Sequence, residues 1–154
     1  MDKTQPQSGY MDGNSHILPV RIYYEETDFT GIVYHANYLK FFERGRTDYL
    51  RTIGIHHKEL WNMDPPLAFA IRSIHLDFLA SAEIDDVLQV CTQYQKFSGA
   101  SLWAHQAIRR DGKDLVTATV HAVCINEAGR PRRLWREPDW IHWNMIHASD
   151  DLQN

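Results

Sequence analysis

Residues 37–53 read NYLKFFERGRTDYLRTI. Tyr38, Phe41, Phe42, Gly45, Tyr49, Leu50 and Ile53 recur at intervals of three and four, while Glu43, Arg44, Arg46, Asp48 and Arg51 take the other face. That spacing predicts an amphipathic helix of about four turns with Gly54 as its stop. Gly45 lies on the apolar face, where glycine costs about 1 kcal/mol against alanine. Its expected use is a close approach of this helix to a sheet.

Downstream the period changes from 3.6 to 2. Ile74, Leu76 and Phe78 alternate with Ser73, His75 and Asp77, and Leu88, Val90 and Tyr94 alternate with Gln89, Gln93 and Gln95. Two more segments, 101–109 and 115–125, follow; in the last, Val116, Ala118, Val120, Ala122 and Cys124 form a small apolar face suited to packing on a helix. Ser98-Gly99-Ala100 and Arg110-Asp111-Gly112-Lys113 mark tight turns, the second a strong hairpin signal. Long strands joined by short turns predict an antiparallel sheet. With one helix entering early, the expected class is α+β, a curved antiparallel sheet wrapped around one long helix.

Upstream, residues 17–24 (ILPVRIYY) are β-branched and aromatic and read as a strand, with Tyr24 at its end. Residues 25–31 (EETDFTG) read as a loop. Residues 1–16 are polar, without the basic and apolar regions of a signal peptide, and are expected to be a flexible leader. The domain is expected over 17–147 and a tail over 148–154. Trp135, Trp140 and Trp143 lie in a C-terminal stretch read as either a short helix or an extended arm.

The composition limits the function. The 154 residues, 44% of them hydrophobic, suit one domain with a real core and exclude wholesale disorder. A net charge of −4 argues against binding nucleic acid through phosphate neutralisation. No apolar run approaches the ~20 residues of a membrane span. Cys91 and Cys124 lack CxxC spacing and are not a disulfide scaffold, so a reducing cytoplasmic compartment is expected. Nine histidines, including the adjacent His56 and His57, show no zinc-ligand spacing, and neither a GxSxG nor a P-loop motif occurs. No metal and no cofactor are expected.

The most informative stretch is 23–51, YYEETDFTGIVYHANYLKFFERGRTDYLR. A loop carboxylate stands ahead of a glycine, an aromatic residue and a histidine, and then a helix begins. This resembles the acyl-CoA thioesterases of the hotdog fold, and specifically the Tol-Pal-associated subgroup of the 4-hydroxybenzoyl-CoA thioesterase family, whose signature is YYEDTDxxGxVYHANYLxFFERARTxxLR. The likeness continues through LDFLASAEIDDVLQV (76–90), SGASL (98–102) and GRPRRLW (129–135). The helix-within-sheet order is the hotdog order. Residue by residue, the family's catalytic carboxylate falls on Asp28, its histidine on His35 and a site tyrosine on Tyr24. Glu26 replaces an Asp, Phe29-Thr30 replaces a small pair, and Gly45 replaces an Ala. Thr30 thereby adds bulk where the substrate channel is expected to begin.

The resemblance implies hydrolysis of an acyl-CoA to free acid and coenzyme A, with coenzyme A only as part of the substrate. Asp28 would serve as general base or nucleophile. Backbone amides around residues 35–37, at a helix N-terminus, are natural oxyanion donors, the His35 amide being the one the resemblance implies. Arg130, Arg132 and Arg133 are candidates for the coenzyme A phosphates through their forked donors, and Ser98 and Gly99 for its pyrophosphate. The resemblance also implies a homodimer or homotetramer with sites at subunit interfaces. Two other readings fit the same residues. One is a hotdog enoyl-thioester hydratase, since Asp28 and His35 also fit its Asp–His pattern. The other is an interaction module binding acyl carrier protein or lipid-synthesis enzymes at the inner face of the membrane.

Overall fold

The computed structural model describes residues 2–133. The expected helix is present as α1, Asn37–Thr52, and Gly54 follows it with φ +86°. Strands β1 (Tyr10–Asp12), β2 (Ser15–Arg21), β3 (Ala68–Phe78), β4 (Val87–Ser98), β5 (Ser101–Arg110) and β6 (Lys113–Ile125) form one antiparallel sheet ordered β1-β2-β4-β5-β6-β3. A five-residue helix, α2 (His57–Trp61), was not foreseen. Both expected turns close hairpins. Asp111 and Gly112 take positive φ of 52° and 78°, the requirement of a type I′ turn.

Side chains of α1 and the sheet's inner face make the core. Phe41, Phe42, Tyr49, Leu88, Val90, Ile108, Val116 and Val120 are essentially sealed from water, each worth roughly 1.5–3 kcal/mol on burial. The small face foreseen on β6 is buried throughout, from Val116 to Cys124. Gly45 does what its position implied. A Cβ there would lie 2.8 Å from both Thr92 Oγ1 and Val90 Cγ1 on β4, so α1 sits closer to the sheet than a side chain permits.

Three expectations are corrected. Residues 1–16 are not wholly a leader outside the fold: Tyr10–Asp12 pairs with β2, β2 begins at Ser15, and His16 is 0% exposed. Their polarity concealed this because the buried group is itself polar. Tyr24 does not end a strand; it opens a 3-10 turn, Tyr24–Glu26, and is 82% exposed. Arg46, read as part of the polar face, is buried, because the stripe is wide enough to include both 45 and 46. The domain end at 147, the tail 148–154 and Trp135, Trp140 and Trp143 lie outside the described residues.

His16 Nε2 lies 2.9 Å from Asp48 Oδ2, yet neither ring nitrogen makes an aligned hydrogen bond among the described residues. The same carboxylate oxygen accepts from the Gly9 amide at 2.7 Å, tying the N-terminal segment to α1. Burial pushes the His16 pKa down, only partly opposed by Asp48, and burial moves His57 the same way. The unfolded chain therefore takes up these protons first as pH falls through ~6.5. Stability is full above that value and is lost as pH falls toward the depressed folded-state pKa values. The urea midpoint is expected to be flat above neutrality and to fall between about pH 6.5 and 5, above the range where carboxylates titrate. His16→Gln should shallow that slope; an unchanged slope contradicts the assignment.

Candidate active site

The loop between the 3-10 turn and α1 is held at both ends. Tyr23 N–H donates to the Glu26 carboxylate at 2.6 Å, and Asn37 Nδ2 donates to the Glu26 carbonyl at 2.9 Å. Thr27 bridges Val33, Ile32 bridges Glu83, and Val33 N–H donates to the Ala82 carbonyl at 2.8 Å. The Glu26 carboxylate, though buried, thus has a partner, as a charge removed from water needs. The receiving segment 81–86 is itself fixed, since Arg110 Nη1 donates to Asp86 at 2.7 Å and to the Ser81 carbonyl at 3.2 Å.

Asp28 sits at the bend of this loop. Its Oδ1 accepts from the Thr30 hydroxyl at 2.5 Å and the Thr30 amide at 2.8 Å. Oδ2 has no hydrogen bond among the described residues. The Thr30 hydroxyl first, and then its amide, hold the carboxyl below the usual range, with smaller pulls from the Ile32 amide and from His35. Asp28 is therefore ionised at neutral pH, with Oδ1 positioned by Thr30. Thr30, expected to add bulk where the substrate channel begins, also positions the carboxylate. That role needs only a hydroxyl two residues after an Asp, a local signal present in the sequence.

His35 lies at the entry to α1. Its ring meets Tyr34 at 4.6 Å between centroids and Phe78 edge-on at 6.2 Å. Beside it a groove of about 260 Å³ runs between Ile32, His35 and Tyr38 on one side and residues 78–81 on the other. Helix α1 has no side-chain cap. The Asn37 amide, one of the expected oxyanion donors, is already bonded to the Tyr34 carbonyl at 2.9 Å. The amides of His35 and Ala36 have no acceptor among the described residues. They stand at the positive end of the helix dipole, where developing negative charge is favoured.

The fold places Asp28 near enough to His35 for the two to interact electrostatically, with His35 and not Asp28 lining the groove, and it leaves the other candidates apart. Tyr24 belongs to the same loop, its carbonyl accepting from the Thr27 hydroxyl at 2.8 Å, but its ring is largely in water. Ser98 and Gly99 turn between β4 and β5 at the opposite end of the sheet, roughly 35 Å of strand away. Arg130, Arg132 and Arg133 follow β6 at that same far end. Arg132 is occupied there, Nη1 donating to the Pro65 and Pro66 carbonyls at 2.8 and 2.9 Å; Arg130 and Arg133 are exposed or partly so. Sequence order could not separate the two ends, because a strand reverses direction without any change in residue type. Among the described residues no group of three or more His, Cys, Asp or Glu is placed to hold a metal.

Replacing Thr30 with Val removes the hydroxyl and keeps the shape and the amide. The Asp28 carboxyl resonance, followed by ¹³C NMR, should then titrate at higher pH than in the unaltered chain. An unshifted titration would show that Thr30 does not hold the charge.

Residues 22–144 match the sequence profile of the Thioesterase-like superfamily. The chain is 41% identical over 113 residues to the acyl-CoA thioesterase YbgC of Haemophilus influenzae, covering 73% of this chain and 82% of that one. It is 36% identical over 118 residues to the acyl-CoA thioester hydrolase YbgC of Escherichia coli, covering 75% and 87%. Among solved structures, a probable thioesterase from Bartonella henselae superposes with a TM-score of 0.76 at 40% identity, covering 79% of this chain and 99% of that one. A DHNA-CoA thioesterase from Staphylococcus aureus superposes with a TM-score of 0.79 at 24% identity, covering 91% and 95%, and carries the likeness of fold alone.

Proposed function

The chain belongs to the thioesterase-like superfamily and has the hotdog fold of an acyl-CoA thioester hydrolase, and from that premise we propose that Asp28 and the N-terminus of α1 carry the hydrolysis. The observation that supports this most is the pairing of an ionised carboxylate, its Oδ1 anchored by Thr30, with two amides that have no acceptor among the described residues at the start of a sixteen-residue helix.

The thioester carbonyl enters the groove with its oxygen toward the His35 and Ala36 amides. As the tetrahedral intermediate forms, its negative charge is met by preorganised donors that need no reorientation. Asp28 Oδ2 either takes the proton of an attacking water or attacks the carbonyl carbon itself; both routes use the same oxygen. The His35 ring, packed on Phe78, orients the water or the acyl group. Tyr24, in contrast, is a rim residue by its exposure. No feature of the groove favours addition to an enoyl group, and the relatives' names favour hydrolysis.

The far position of Arg130 and Arg133 supports a second chain in the site. β3 closes one side of the sheet with an edge unpaired among the described residues, and such edges are covered or paired in stable proteins. Antiparallel pairing of two β3 strands about a twofold axis sets the Phe78 end of one chain beside the Ala68 end of the other. The second chain's Arg130 and Arg133 would then approach the coenzyme A phosphates of a substrate held at Asp28. Tetramers and docking of acyl carrier protein are further options for the same assembly. A reducing, cytoplasmic location, at the inner membrane face or free of it, fits two buried free thiols, of which Cys124 is pushed up to about 12 by burial and is therefore unreactive. Among the described residues no helix is long and apolar enough to cross a membrane.

The direct test is thiol release from short, long and aromatic acyl-CoAs. Asp28→Asn should slow it about 100-fold or more while the fold persists; a folded variant of near-normal rate would remove Asp28 from the chemistry. The two-chain site has its own test. Asp28→Asn protein is mixed with protein carrying Arg130→Ala and Arg133→Ala, each poorly active alone. After subunit exchange the mixture should recover up to about a quarter of normal activity, since half the dimers are hybrids with one intact site. Activity no higher than the mean of the two variants would place the arginines and Asp28 in the same chain's site or assign the arginines no role.

A further inference from the structure

Arg46 is a cation where the fold has little use for one. It is 9% exposed, and its Nη1 donates to Gln106 Oε1 at 3.0 Å. Gln106, fully buried, is in turn committed through Nε2 to the Phe42 carbonyl at 3.0 Å and the Thr92 hydroxyl at 2.8 Å. The guanidinium is therefore held in one orientation. No carboxylate lies within ion-pair distance of it among the described residues. Leaving a charge buried without a counter-charge is costly, and guanidinium does not escape the cost by giving up its proton.

Arg46 lines a cavity of about 190 Å³ between α1, α2 and the strands β3, β4, β5 and β6, the β4 residue being Tyr94. Thr47 and His57 share its polar side, linked by a contact of 3.1 Å between Thr47 Oγ1 and His57 Nε2. Leu50, Phe69 and Leu102 supply an apolar side. None of these residues lines the groove at His35, and the cavity lies beside the C-terminal half of α1. Burial lowers the pKa of His57, so the imidazole is a neutral hydrogen-bonding group at neutral pH, not a second cation. A positioned guanidinium fork faces apolar walls across a space below the ~300–1,000 Å³ of drug-sized ligand pockets.

We propose that this cavity is a binding site for a small organic carboxylate, its charged end on Arg46 and its short apolar body against Phe69, Leu50 and Leu102. The acid is anionic, to supply the missing counter-charge, and compact, to fit the space. Glu43, exposed at the cavity wall, opposes an anion without pairing with Arg46. This site goes beyond the thioesterase reading; its Phe69 and Ile71 lie at the Ala68 end of β3, the end that the proposed pairing sets beside the Phe78 end of a second chain.

The probe is isovalerate, titrated into the full chain and followed by the Arg46 Nε–H resonance and by ligand-observed NMR. Binding should be saturable. Isovaleramide, which lacks the charge, and acetate, which lacks the body, should each bind about tenfold or more weaker. Ala122→Leu fills the cavity from β6 and should weaken binding at least as much, its folding checked by an unchanged melting temperature. Glu43→Gln should tighten binding, and Asp28→Asn should leave it unaltered even if the chain releases no thiol from any acyl-CoA. The proposal is overturned by non-saturable binding, by the amide binding as well as the acid, or by undiminished binding in folded Ala122→Leu. It is equally overturned by weaker binding in Glu43→Gln, or by loss in Asp28→Asn, which would move the acid to the groove at His35.

Discussion

The approach of α1 to β4 at Gly45 is the constraint on which the rest of the molecule depends. With no side chain at that position, helix and sheet close to a distance that a Cβ, 2.8 Å from Thr92 Oγ1 and Val90 Cγ1, would prevent. The ~1 kcal/mol that glycine costs a helix is small beside the overlap it avoids, since overpacking in a core costs about 1–3 kcal/mol. Closeness also brings the Phe42 carbonyl within reach of Gln106 and places Arg46 beside the same amide. The polar thread from Thr92 through Gln106 to Arg46 fixes the helix against sliding along the sheet.

A helix fixed in that way presents its N-terminus at a defined place. The preceding loop is tied to segment 81–86, which Arg110 secures in turn, so the carboxylate of Asp28 and the amides of His35 and Ala36 are held by separate attachments to one scaffold. Catalytic groups arranged before substrate arrives need no reorganisation when charge develops. Arg130 and Arg133 lie at the other end of the sheet from that loop, which is why a second chain enters the proposed site.

Much of this was legible in residue order because each level pointed the same way. The stripe from Tyr38 to Leu50 specified the helix, period-2 alternation specified β3 to β6, and Asp-Gly specified the β5–β6 hairpin. Asp28 and His35 stood out because a loop acid beside a helix entry has a chemical reading as well as a family resemblance. Several residues that escaped notice are polar yet buried. His16, Glu26, Gln106 and Arg46 all lie inside. Gln106 and Arg46 meet partners distant in sequence, whereas the Glu26 carboxylate meets the Tyr23 amide three residues away and the His16 ring has no aligned hydrogen bond among the described residues. Tyr24 is the converse, an aromatic in a strand-like run that a 3-10 turn rotates into water. The arginines at 130–133 were candidates for phosphate by type alone, but their distance from Asp28 follows from strand direction, which composition does not carry.

The account rests on Asp28 and the first amides of α1 facing the same carbonyl. Its most direct test is the crystal structure of the Asp28→Asn chain with an intact acyl-CoA bound. The thioester oxygen should lie about 2.7–3.1 Å from the His35 or Ala36 nitrogen, with the carbonyl carbon about 3–3.5 Å from the residue-28 side chain or from a water hydrogen-bonded to it. A thioester bound elsewhere, with both amides turned to solvent, would contradict the mechanism at its core.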